Sequence, residues 1–259
     1  MNATGQWAVI TGASSGIGRE FARLFAQNGV NVVLAARDEA ALGQLAEELR
    51  AQHGVEALVY AGDLSDLTIA EGLYDFTCGK RLNVQFLVNN AGFGDYGLFS
   101  ETEWKKELAM INLNITALTY LSKLFAVDMK QSGAGKIVNL ASTAAFVPGP
   151  RMAVYYATKA YVLSLSQAVN SELRGSGVTV TALCPGPTAS GFARSAHAEN
   201  GALFRGRLPT AAQVAAYGYQ AMLAGKPVAI HGRKNRLLIF LTRFTPRQLL
   251  TAAINRAQN

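Results

Sequence analysis

The chain has 259 residues and a mass of 27.6 kDa; half of its residues are hydrophobic and 16% are charged, which excludes an intrinsically disordered chain and leaves ample length for a buried core. No uninterrupted apolar run approaches the roughly 18 residues of a membrane span, the start "MNATGQWAVITG" shows no signal-peptide pattern, and Cys78 and Cys184 form neither a disulfide framework nor a metal spacing, so a cytoplasmic protein without a resident metal is expected. The net charge of +7 sits at one end, because residues 200–259 hold nine basic and no acidic residues, and no aromatic-interleaved basic stripe argues for nucleic acid.

Apolar runs alternate with amphipathic ones along the chain. "WAVIT" (7–11) predicts a strand and the face shared by Phe21, Leu24 and Phe25 a helix over 17–27. Between them lies "TGASSGIG" (11–18). In that strand–loop–helix setting Gly12 permits a tight turn, Gly16 a close backbone approach to a pyrophosphate, and Gly18 close helix–strand packing. The amides that open the helix would face the phosphates of a dinucleotide. An ordinary strand-to-helix turn is the plainer reading.

A second strand, "VNVVLAA" (30–36), ends at Arg37, and a helix follows over 39–52. An acidic residue at such a strand end accepts hydrogen bonds from free ribose hydroxyls, whereas an arginine accommodates a 2′-phosphate. Arg37 therefore favours NADP(H); the adjacent Asp38 could be read as an acid preferring NAD(H), but it begins the next helix, where an N-cap aspartate is expected. Further strands are predicted over 55–61, 84–90, 136–142, 178–184 and 227–232, with helices near 66–79, 103–131, 153–174 and 210–224. Strands this apolar on both faces, alternating with helices, predict an α/β fold: a Rossmann-like doubly wound parallel sheet of about seven strands in one domain over 1–259.

Within the 153–174 helix, "AVYYATKAY" sets Tyr155 four and Tyr156 three residues before Lys159, with Tyr161 two after. Spacing alone leaves open whether one tyrosine is an acid beside the lysine or all three only pack. Residues 186–209 are long and rich in glycine and alanine, as expected of a lid. The tail 234–259 is apolar and basic and is broken by Pro246.

Taken in order, "TGASSGIG", Asp63 in "AGDLSD", "NNAG" (89–92), Asn112 in "MINLNITALTYLS", Ser142 in "IVNLASTAA", and Tyr155 with Lys159 resemble the single-domain branch of the short-chain dehydrogenase/reductase family. The resemblance runs to about residue 232. It implies a carbonyl–alcohol oxidoreductase that is a homodimer or homotetramer. Tyr155 would be the acid, Lys159 would lower its pKa and hold the nicotinamide ribose, Ser142 would bind the substrate oxygen, and Asn112 would hold a relay water. Asn114, two residues on, is expected to face elsewhere on the helix.

The resemblance also implies cofactor contacts from Gly12, Ser14, Ser15, Gly16, Ile17 and Gly18, from Arg37, Asp63 and Leu64, and from Asn90, Ala91 and Gly92. Tyr155 and Lys159 would contribute, as would Pro185, Gly186, Thr188 and Ser190 in "CPGPTAS". Here Ser190 stands where the family usually has threonine, and Thr188 where it usually has an aliphatic residue. For a small-molecule substrate, Phe93, Tyr96, Phe146, Phe192 and Phe204 suggest an apolar ketone or secondary alcohol, although these rings could equally pack a lid. Arg194, Arg205 and Arg207 read as solvated or as attracting an anionic substrate. The tail is expected to pack on the domain or on a neighbouring subunit; attachment to an anionic membrane surface is the other reading.

Overall fold

The computed structural model describes residues 5–192, 196 and 206–258. Seven strands form one sheet: β1 (Trp7–Thr11), β2 (Asn31–Ala36), β3 (Ala57–Ala61), β4 (Val84–Asn89), β5 (Gly135–Leu140), β6 (Val178–Cys184) and β7 (Val228–Ile230). Their order is β3-β2-β1-β4-β5-β6-β7, and every pairing is parallel. Among the described residues the α-helices are α1 (Gly16–Gln27), α2 (Glu39–His53), α3 (Leu67–Gly79), α4 (Trp104–Ile111), α5 (Leu118–Ser132), α6 (Ala153–Glu172), α7 (Ala211–Leu223), α8 (Arg233–Thr242) and α9 (Arg247–Gln258).

Residue alternation distributes each strand between two cores. Ala8, Ile10, Val32 and Leu34 face α1, α2 and α7, where they meet Phe21, Phe25, Leu42, Leu49 and Met222. Trp7, Val9, Val33 and Ala35 face α3 and α5 and meet Leu73, Leu121, Phe125 and Met129. Both faces are thus covered, as expected of a parallel sheet. Polar side chains cross the centre in pairs: Asn89 Nδ2 donates to Ser122 Oγ and to Asn139 Oδ1, both at 2.9 Å, and Asn139 Nδ2 donates to Ser166 Oγ at 3.0 Å. These bonds tie β4 and β5 to α5 and α6.

One element departs from the sequence expectation. The helix expected over 103–131 is interrupted by a π-helical turn, Asn112–Ala117, between α4 and α5. The helical run Trp104–Ser132 is long and apolar enough by mean composition to cross a membrane, although charged and polar residues interrupt it, and its Leu118, Leu121, Phe125 and Met129 stripe is buried within the protein. The tail forms α8 and α9, separated at Pro246 as its sequence indicates. The two ends of the 186–209 loop are tied together by Ala189 N donating to Pro209 O at 2.9 Å.

Candidate active site

In a doubly wound sheet the crevice lies beyond the strand C-termini, where β1 sends its two neighbours β2 and β4 in opposite directions. A cavity of about 1100 Å³ opens there. Small-molecule sites typically span roughly 300–1,000 Å³, so this one has room for a dinucleotide and a second molecule.

One end is built by the glycine loop. Thr11 Oγ1 accepts from the amides of Asn90 and Ala91, both at 3.0 Å, and Asn90 Nδ2 donates to the carbonyls of Thr11 (2.9 Å) and Gly12 (3.1 Å). The "NNAG" segment therefore clamps the loop to β4. A Cβ at Gly18 would lie 2.3 Å from Gly12 O, so side-chain-free packing is required at that point. Ser15, the N-cap of α1, makes no side-chain capping bond, and the first turn holds no acid. The α1 amides are thus left for an anion at the cavity wall formed by Ser14, Ser15, Gly16 and Ile17. Those residues fit a pyrophosphate.

Arg37, Asp63 and Leu64 line the same end, with Arg37 Nη1 3.9 Å from Asp63 Oδ2 in an exposed pair. Asp38 is engaged as expected, its carboxylate accepting from Ala41 N at 3.0 Å as the N-cap of α2. Further along, Asn90, Ala91, Gly92, Pro185, Gly186, Thr188 and Ser190 all line the cavity. Thr188 Oγ1 donates to Gly186 O at 2.9 Å, and Ser190 Oγ accepts from Phe192 N at 3.4 Å, which shapes the turn after β6.

At the other end, Ser142, Tyr155 and Lys159 converge. Strand β5 stops at Leu140, so Ser142 lies beyond the strand and caps a short 3₁₀ helix, Thr143–Phe146, accepting from Ala144 N at 3.1 Å. One turn apart on α6, Tyr155 and Lys159 are both buried and face the cavity. Lys159 Nζ donates to Leu140 O at 2.7 Å and stands 5.8 Å from the Tyr155 ring centre. Burial lowers the Lys159 ammonium to about 8. Burial also raises the Tyr155 phenol above its usual range, with hydrogen bonding to Ser142 pulling the other way. The net direction is opposite to the lowering expected from Lys159: burial dominates, and the phenol is held protonated. Nearby, Cys184 is pushed up to about 12 by burial and stays a thiol.

The asparagine is also corrected. Asn112 is half-buried and does not line the cavity, whereas Asn114 is fully buried behind Gly92 and Lys159. A Cβ at Gly92 would meet Asn114 Oδ1 at 2.8 Å and Lys159 Nζ at 3.4 Å. Asn114 Nδ2 donates to Phe93 O at 3.0 Å and Thr158 Oγ1 at 3.1 Å, and its Oδ1 accepts from Phe93 N at 3.2 Å. The wider π turn shifts the helical phase and carries Asn114 inward, which a regular 3.6-residue count misses.

Of the expected substrate wall, Phe93 and Phe192 line the cavity, and the Phe192 ring lies 5.1 Å from that of Tyr155. Phe146 does not; at the end of the 3₁₀ helix it packs against the cluster of Leu118, Ala141, Val162, Leu163, Ala182 and Cys184. Tyr96 is likewise outside the lining and packs beside Arg151, whose guanidinium is 6.0 Å from its ring centre. Tyr156 serves as wall, its ring 6.1 Å from Tyr155, and Tyr161 is exposed with its hydroxyl 3.1 Å from Thr119 Oγ1. Phe204, Arg194 and Arg205 lie outside the described residues; Arg207 is exposed.

Sequence reasoning missed the roof. Leu238, Ile239, Leu241 and Thr242 of α8, with Leu250, Ala253 and Ile254 of α9, line the cavity opposite Tyr155. Ile254 packs against the cluster that holds Met152, Tyr155 and Tyr156, and Asn235 seats on Gly186, where a Cβ would lie 2.6 Å from its Nδ2. The signal available in the sequence was the apolar repeat of "LLIFLTRF", which shows that the helix buries a face but not which surface receives it.

The sequence matches the short chain dehydrogenase family over residues 6–201. A 7β-hydroxysteroid dehydrogenase of Collinsella aerofaciens is 33% identical over 188 residues, which cover 71% of this chain and 69% of that protein. A short-chain dehydrogenase from Sphingobium yanoikuyae, solved in complex with NADPH, superposes with a TM-score of 0.83 at 32% identity over 92% of this chain and 94% of its own. A bulky-bulky ketone specific alcohol dehydrogenase from Comamonas testosteroni gives a TM-score of 0.79 at 31% identity, covering 92% of each chain. A Burkholderia phymatum member, at 29% identity, a TM-score of 0.82 and 92% coverage of each chain, was solved with NAD. The chain belongs to the short-chain dehydrogenase/reductase family and is an oxidoreductase of that family.

Proposed function

We propose that the protein is an NADP(H)-dependent oxidoreductase that interconverts a bulky, apolar ketone and its secondary alcohol. The observation that carries this reading is the convergence of Ser142, Tyr155 and Lys159 at the junction between the dinucleotide crevice and an apolar chamber walled by Phe93, Val147, Met152, Tyr156 and Phe192. Relatives named for a hydroxysteroid and for bulky-bulky ketones support the size and polarity of the substrate.

A bound nicotinamide cofactor would supply the redox step. The residues of this chain do the rest. Ser142 Oγ holds the substrate oxygen and stabilises its developing negative charge. Tyr155, held protonated by burial, delivers the proton to that oxygen. Lys159 favours the phenolate left behind, and Asn114 takes the relay position expected of Asn112. Replacing Asn114 with alanine is expected to lower kcat at least about tenfold, while Asn112→Ala leaves it within about twofold; equal losses would remove the assignment.

The Lys159 pKa sets a pH dependence. Because burial lowers it to about 8, the ammonium is complete below that pH and lost above it. For ketone reduction, kcat/KM is expected to be flat below about pH 8 and to fall as pH rises through it. In Lys159→Met that break should disappear along with most of the activity, and a break that persists would belong to another group.

For the cofactor, the helix cap occupies Asp38, which leaves Arg37, just after β2 in the cavity wall, as the residue that would meet a 2′-phosphate. One charge-assisted contact of about 1.5–3 kcal/mol corresponds to a preference for NADPH of about ten- to a hundredfold. Fluorescence titration of the wild type and Arg37→Ala with both cofactors tests this. The variant should lose the preference, and an unchanged ratio would shift the reading to NAD(H).

A further inference from the structure

Helix α8 is apolar on two sides. Leu238, Ile239 and Thr242 turn toward the cavity, and Ile239 is buried. Leu237, Phe240 and Phe244 recur at helical spacing on the outside, where Phe240 is 51% and Phe244 72% exposed, their rings 5.3 Å apart. Leu249, at the start of α9, is also exposed, at 62%. A helix apolar all round normally has a covered outer face, and contiguous exposed patches of this kind mark interaction sites.

Charge selects the occupant. Arg233, Lys234, Arg236, Arg243 and Arg247 flank these side chains in sequence and are exposed, and no acidic residue occurs anywhere in 200–259. Two copies of this face laid together would set like charges against each other, whereas an anionic lipid surface meets both the cations and the exposed leucine and phenylalanine side chains. Leu238 and Leu241 belong to the cavity lining and are also exposed, so the chamber opens onto the same surface.

We propose that the outer face of α8 and the start of α9 dock the protein on an anionic lipid bilayer, with the mouth of the chamber turned toward the acyl chains. An apolar substrate could then pass from bilayer to chamber without crossing water. Docking is read out as lipid binding, so it stands or falls separately from the proposed ketone chemistry.

The test is co-sedimentation of the full-length, NADPH-loaded protein with phosphatidylcholine vesicles, with and without phosphatidylglycerol, at low and high salt. Binding is expected to the phosphatidylglycerol vesicles at low salt and to be released at high salt. The double variant Phe240→Ser/Phe244→Ser, in which neither position lines the cavity, should weaken binding at least about tenfold while leaving NADPH affinity and melting temperature unchanged. Arg236→Gln/Arg243→Gln should weaken it about tenfold through charge alone. Absence of binding to anionic vesicles at low salt overturns the proposal, as does binding that ignores both double variants. An oligomer in light scattering that the phenylalanine double variant dissociates would assign the face to a second copy and also overturn it.

Discussion

Replacing Tyr155 with phenylalanine is expected to lower kcat by about 10²–10⁴-fold, the usual contribution of a positioned acid, while NADPH affinity changes by no more than about twofold. The ring is buried against Phe192 and Tyr156, with centroids 5.1 Å and 6.1 Å away, so phenylalanine keeps the packing and removes only the hydroxyl. Its hydroxyl is the group that burial holds protonated and that Ser142 faces. Steady-state turnover and a cofactor titration on the same preparation check both halves. A variant that retains activity would pass the role to Tyr156, which also lines the cavity.

The second large effect is expected at Gly18. A Cβ there would lie 2.3 Å from Gly12 O and 2.5 Å from Asn90 Nδ2, distances that the loop cannot keep. Gly18→Ala must therefore push apart the glycine loop and the β4 clamp that holds it. Overpacking of this kind costs about 1–3 kcal/mol, or a fall of roughly 2–10 °C in Tm for a chain of this size. Because the displaced atoms are those that shape the phosphate site, NADPH affinity should fall by about a hundredfold. Gly43→Ala provides the control. It sits in α2 with nothing within 4 Å of its Cβ position, and it should leave Tm unchanged or slightly raised. Similar behaviour of the two variants in melting and titration experiments would contradict the packing account of the loop.

The strands and the glycine loop were legible in the sequence because their causes are local. Alternating apolar residues fill two opposed cores, and the order of strand, glycines and helix fixes the loop in one place. Tyr155 and Lys159 were legible as a pair because one helical turn separates them, but the direction of the tyrosine shift was not. Proximity of a cation was visible in the spacing, whereas the burial that outweighs it depends on Phe192, Tyr156 and the chamber closing around the ring. Asn114 was missed for a different reason. A regular helix was assumed over 103–131, and the π turn at Asn112–Ala117 alters the phase where the residue choice mattered.

The substrate end was the least legible. Phe146 and Tyr96 looked equivalent to Phe93 as loop aromatics, and only the 3₁₀ turn and the stacking on Arg151 separate them. The roof comes from α8 and α9, about eighty to a hundred residues after Tyr155, and nothing local in their sequence states which surface they cover. That long-range contact makes the chamber apolar above the catalytic groups and gives the substrate proposal its size.

The most direct measurement is therefore oxidation of NADPH by the purified protein in the presence of a bulky, two-sided ketone, run beside a small aliphatic ketone and beside NADH. The account predicts turnover of the bulky ketone with NADPH, with kcat/KM at least about tenfold above that for either comparison. Tight NADPH binding with no ketone reduced would contradict it, and would make the chain a cofactor-binding protein on an enzyme's scaffold.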